Sequence, residues 1–141
     1  MYYDRETGLL FSGDFLLPGR LLVSDIDAYR ASARRVAEFL HGRPVSYVLG
    51  GHIEKDRDGQ LFDWQSTYHP HEHALQLARA DLMALPAALD AFNGLQSEQG
   101  GFVIIDSIHE LELLAAAVVL LLTVVGYALY RLWRRRCRKR S

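Results

Sequence analysis

The sequence predicts an α/β domain followed by one membrane-crossing helix. Two apolar runs, LLFSGD ending at Asp14 and VSYVLGGHIE containing His52, each pass through small residues to a polar side chain. A long amphipathic segment lies between them, and an uncharged apolar run, Leu113 to Tyr130, precedes a basic tail. Strand, helix and strand in that order form a βαβ unit, whose parallel strands finish side by side where open α/β sheets put their chemistry. Asp14 and His52 are therefore expected to converge although they lie far apart in the chain.

The elements follow in order. Tyr2-Tyr3, a turn through Gly8 and Leu9-Leu10-Phe11 read as an antiparallel hairpin. The second strand is apolar without alternation, as expected of a strand covered on both faces. Phe15 to Val23 contains Pro18-Gly19 and reads as a loop. Ser24 or Asp25 caps a helix from about Ile26 to Leu40, whose Ile26, Tyr29, Ala33, Val36, Ala37 and Leu40 recur at helical spacing. Gly42 and Pro44 end it. Val45 to Leu49 is a short buried strand in which Tyr47 either joins the core or reaches a cleft, and Arg34, Arg35 and Arg43 solvate the outer face of the helix and its exit. Glu54 to Gln65 is a polar surface loop. A second helical stretch runs from about Glu72 to Phe92, interrupted near Pro86; Gly94 to Gly101 is a loop, and Phe102 to Ile105 one more strand.

The domain boundaries expected are 1–105 for the soluble domain, 106–112 for a juxtamembrane linker, 113–133 for the transmembrane helix and 134–141 for the tail. Roughly 105 residues suffice for one small domain. Leu113 to Tyr130 spans about 27 Å as a helix, and extension to Trp133 with Arg131 snorkelling covers a bilayer core. Tyr127, Tyr130 and Trp133 then sit near one interface. The formal net charge of −1 hides an acidic body and a strongly basic end, Arg134 to Arg140. An acidic body argues against nucleic-acid binding, and basic residues beside an apolar run fit anionic headgroups. The single cysteine, Cys137, excludes an internal disulfide and is either a plain tail residue or an acylation site.

The positive-inside rule puts the tail in the cytoplasm and the acidic domain outside, in the periplasm. Yet Met1 to Glu6 has neither the basic nor the apolar part of a signal peptide. Either an export signal lies upstream of Met1, the reading favoured here, or the protein is tail-anchored with its domain in the cytosol.

LLFSGDFLLPGRL, AYRASARRVAEFL and VSYVLGGHIE together resemble the C-terminal half of the metallo-β-lactamase-fold hydrolases, the superfamily that includes glyoxalase II-like enzymes. TYHPHEHALQL resembles the segment that follows in one subgroup, so the likeness covers roughly residues 2–92. The resemblance implies half of an αββα sandwich, a mixed sheet with flanking helices. It also implies that Asp14 bridges two zinc ions, other divalent metals being alternatives, and that His52 is the last histidine ligand. Water activated there would cleave an ester, thioester, amide or phosphoester bond of a small-molecule substrate that nothing in the sequence selects.

The family's HxHxDH motif precedes the Gly-Asp strand, and no histidine stands before Asp14 here. Two ligands hold zinc poorly. The expectation is thus an incomplete chain, inactive alone, whose missing N-terminal half or another polypeptide supplies the rest. The alternative is a non-catalytic, membrane-tethered interaction module. Two further readings concern nearby residues. His69-Pro70-His71-Glu72-His73 mimics HxHxDH, and in an extended segment its imidazoles would share one side and hold zinc; otherwise it is a surface turn with a capping role. Glu54 either supports His52 from behind or is a solvated loop carboxylate, and Tyr68 is a candidate to reach a cleft.

Overall fold

A computed structural model describes residues 1–138. Among them run β1 (Tyr2–Tyr3), β2 (Leu9–Gly13), β3 (Arg20–Val23), α1 (Ile26–Phe39), β4 (Tyr47–Gly50), β5 (Gln76–Leu77), α2 (Arg79–Ala91), β6 (Gln96–Glu98), β7 (Val103–Asp106) and α3 (Ser107–Arg138). The chain divides into two units, Met1–Ser107 and Ile108–Ser141.

The first unit is mixed α/β. One sheet has the order β1-β2-β4-β5, the other β3-β7-β6. β1 pairs antiparallel with β2, and β2 pairs parallel with β4 in the register Leu9↔Tyr47 to Gly13↔Gly50. The expected hairpin and the expected parallel pair both form. Leu10, Val48 and Leu77 from the first sheet share one buried cluster with Leu21 and Ile104 from the second.

α1 forms where its pattern says. The Asp25 carboxylate accepts from the Ala28 N–H at 2.9 Å, filling one of the donors left open at a helix start. Ala33 and Leu40 are buried, with Ile26, Tyr29 and Val36 packed on the cluster. α1 is tied to α2 by Arg30, which donates to the carbonyls of Leu89 at 2.9 Å and Phe92 at 3.0 Å. Arg34, expected to be merely solvated, reaches Asp90 at 2.6 Å.

Several expectations are corrected. Residues 20–23 are not loop: they form β3, parallel to β7 with Leu21↔Ile104 and Leu22↔Ile105. Pro18-Gly19 turns the chain only briefly, and the strand's partner lies near the far end of the domain, beyond the reach of a local pattern. β6, in the stretch read as a glycine loop, pairs antiparallel with β7. β2 is covered on one face only: Leu10 and Ser12 are buried, whereas Phe11 is exposed. Tyr47, across the same sheet, is exposed as well and not core. α2 starts at Arg79, where the Asp81 carboxylate accepts from the Ala78 N–H at 2.9 Å. It runs through Pro86 without a break, because Leu82, Leu85, Ala88 and Leu89 bury one stripe on both sides of the proline. The polar 54–65 segment is not wholly a surface loop, since Lys55 is buried, bridging to Leu61 and donating to the Gly100 carbonyl.

In the second unit, Leu111–Arg131 is one helical stretch long and apolar enough to cross a membrane, with a mean hydropathy of 2.4. Its described apolar side chains are exposed, as a lipid-facing helix requires. α3 begins at Ser107, so the stretch expected to be a linker is helical apart from Asp106, which ends β7. Of the expected tail, residues 139–141 lie outside the described residues.

Candidate functional site

The parallel pairing of β2 and β4 fixes where their carboxyl ends stand. Gly13, at φ +59, turns the chain out of β2, and the Gly51 N–H donates to the Gly13 carbonyl at 3.1 Å, stitching the two ends together. The next residues, Asp14 and His52, meet with 3.5 Å between Asp14 Oδ1 and His52 Nδ1. The glycines permit this. A Cβ on Gly50 would stand 2.6 Å from Leu17 Cβ, and one on Gly51 would stand 2.7 Å from Asp14 Oδ1. Behind Asp14, the Ser12 hydroxyl donates to the Leu16 carbonyl at 2.6 Å, and the Tyr29 phenol donates to the Phe15 carbonyl. Burial pushes that phenol well above its ordinary range.

The far side of the imidazole is held too. His52 Nε2 lies 3.1 Å from Glu54 Oε1. The other Glu54 oxygen accepts from the Arg20 N–H at 2.9 Å and lies 3.5 Å from the Arg20 guanidinium. The Glu54 side chain is only 22% exposed, so it is an anchored partner of His52 and not a solvated loop carboxylate. Asp14 and the histidine face water, at 83% and 50% exposure.

Arg20 is the residue the sequence reading missed. Its guanidinium donates to the Phe62 carbonyl and lies 4.6 Å from the centre of the Trp64 ring. It thereby joins the strand ends to the polar segment after Glu54. An arginine directly after Pro-Gly at a strand start carries no local signal for this. Arg20, His52, Glu54, Phe62, Trp64 and His69 line an open cavity of about 420 Å³.

The expected extended HPHEH segment does not form. His71 sits at φ +56, which turns the backbone and ends the alternation that one-sided imidazoles require. His69 stacks on Phe62 with ring centres 4.3 Å apart and lies 3.0 Å from Glu72 Oε1 and 2.9 Å from the Ser66 carbonyl. His73 turns to the Ala74 carbonyl at 2.7 Å. Tyr68 is exposed and is not among the residues lining the cavity.

Two donors of one tetrahedral zinc ion, each at about 2.0–2.2 Å, stand roughly 3.3–3.5 Å apart. Asp14 and His52 match that edge. They fill two positions only: among the described residues, no group of three or more His, Cys, Asp or Glu side chains is placed to hold a metal ion. The pair thus fits part of a metal site and does not complete one. Comparison with protein-family models, curated proteins and solved structures finds no match.

Proposed function

We propose that this chain is the membrane-anchored part of a metal-dependent hydrolase of the metallo-β-lactamase fold. In this reading Asp14 and His52 contribute two ligands to a zinc centre and a second polypeptide segment contributes the others. The observation that carries it is the 3.5 Å approach of these side chains at the carboxyl ends of adjacent parallel strands. Bound zinc supplies Lewis acidity and an activated water for attack on an ester, thioester, amide or phosphoester. The chain's own residues orient. Glu54 fixes the imidazole plane, and Arg20 fixes Glu54 through two contacts. Such outer partners keep a ligand in position and raise its basicity. The helix at Leu111–Arg131 anchors the domain, with the basic end on the cytoplasmic side and the domain outside.

Isothermal titration of zinc into the full chain in detergent micelles tests this. Weak uptake that disappears in both Asp14→Ala and His52→Ala is expected, with no hydrolysis by the chain alone. Uptake that survives both substitutions sinks the reading.

A second reading, a tethered interaction module, draws on one observation. Tyr2, Phe11 and Tyr47 stand exposed on the first sheet, with Tyr2 and Phe11 directly paired. Exposed apolar surface of this kind marks interaction sites. Zinc indifference together with saturable self-association in micelles would favour it.

A further inference from the structure

We propose that the hollow between β1 and α1 binds a long-chain carboxylate, with the hydrocarbon inside and the carboxylate on Arg5 and Arg35. The cavity measures about 540 Å³ and is lined by Tyr2, Tyr3, Leu10, Val36, Phe39 and Leu40 together with these two arginines. That volume lies within the roughly 300–1,000 Å³ of small-ligand sites.

Its walls are pre-formed. The Tyr3 hydroxyl donates to the Pro44 carbonyl at 2.7 Å, which satisfies its polar end and leaves the ring as wall. That ring meets Phe39 edge-on at 6.2 Å, and the Arg43 guanidinium lies 4.2 Å from the centre of the Phe39 ring. Leu10 and Leu40, both buried, line its inner side. Tyr2 and Phe39 keep 67% and 49% of their surface in water, an apolar area that a hydrocarbon chain would cover.

Charge decides the class of ligand. Among the described residues no Asp or Glu lines the hollow, whereas two guanidinium groups do. Arg35 donates to the Ser32 hydroxyl at 2.9 Å, and Arg5 makes no side-chain hydrogen bond or ion pair among the described residues. An apolar cavity with two available cations and no anion suits a molecule with one apolar tail and one anionic end. The guanidinium fork matches the two oxygens of a carboxylate. This site is separate from Asp14 and His52 and stands whether or not they bind metal.

The test uses the full chain in phosphatidylcholine nanodiscs, photolabelled with a diazirine-bearing fatty acid, with decanoate or decanol as competitor. Labelling should fall on the segments around Tyr2–Leu10 and Ser32–Leu40. Decanoate should compete about tenfold better than decanol, the equivalent of about 1.4 kcal/mol. Arg5→Gln/Arg35→Gln, both at exposed positions, should remove that difference while circular dichroism stays unchanged, and Asp14→Ala should leave it intact. Labelling confined to α3, or equal competition by the alcohol, would each overturn the proposal.

Discussion

Asp14 and His52 lie far apart in the chain and 3.5 Å apart in space, whereas His69, His71 and His73 alternate in the chain and form no shared metal site among the described residues. The first pair is positioned by two hydrogen-bonded parallel strands, a frame that fixes the end of each strand relative to the other. The second set relied on an extended backbone, and one residue in the left-handed region removes that condition. Proximity in sequence therefore predicts a shared site only when the backbone conformation between the donors is also known. Topology predicts it without that knowledge.

The largest test of this contrast acts on the frame. Gly50→Ala places a Cβ 2.8 Å from the Leu17 Cα, and backbone must move to admit it. We expect a loss of about 1–3 kcal/mol, as for overpacking. In a domain of this size each 1 kcal/mol corresponds to about 4–8 °C in a thermal melt followed by near-UV circular dichroism. Gly51→Ala meets only the free end of the Asp14 side chain, so it should leave the melt almost unchanged while weakening zinc uptake. A large stability loss from Gly51→Ala would show that the strand ends are not arranged as described.

Next in size is the clamp behind Asp14. Tyr29 is held neutral by burial, with its titration displaced upward, and it bonds the Phe15 carbonyl beside Asp14. Its folded pKa lies above its unfolded one, so its contribution is complete below about pH 10 and declines as pH rises further. The slope should approach about 1.4 kcal/mol per pH unit, read from urea midpoints. Tyr29→Phe should lower stability near neutral pH and flatten that alkaline slope. An unchanged slope in the variant would remove Tyr29 from the account.

The meeting of Asp14 and His52 was legible because its signals are local: an apolar run, a glycine, a polar side chain, repeated on either side of a periodic helix with Asp25 at its start. β3 was not legible, since its partner β7 lies at the far end of the domain. β6 was not legible because Gln96-Ser97-Glu98 has no apolar alternation, although it pairs with β7 as a local hairpin. The sequence leaves Glu54 between two readings for a related reason. Its partner Arg20 opens β3 in the other sheet, and the chain crosses through α1 to β4 before it reaches Glu54. The start of α2 was misplaced because Glu72 resembles a helix-opening residue. The carboxylate that meets the first turn instead belongs to Asp81.

A smaller effect separates His69 from the proposed ligand His52. His69 stacks on Phe62 and engages both ring nitrogens, so His69→Ala should cost about 1 kcal/mol through the lost ring contact and hydrogen bonds. Zinc uptake by Asp14 and His52 should not change. Loss of uptake in His69→Ala, with the melt intact, would reverse the assignment of the two regions.

The smallest effect belongs to His71. It is exposed, at φ +56, and no hydrogen bond or ion pair of its side chain occurs among the described residues. Glycine adopts that conformation without the steric cost a β-carbon brings, but it also loses more freedom on folding. The two terms oppose each other, so His71→Gly should shift stability by no more than about 0.5 kcal/mol, toward greater stability if backbone relief exceeds the entropy lost. Isothermal titration of the same variant should return the wild-type zinc isotherm, because His71 then has neither a packing role nor a ligand role to lose. A variant that binds zinc less well at unchanged stability would mean that the imidazole reaches an ion after all, and sequence alternation would regain the weight that the turn at this residue takes from it.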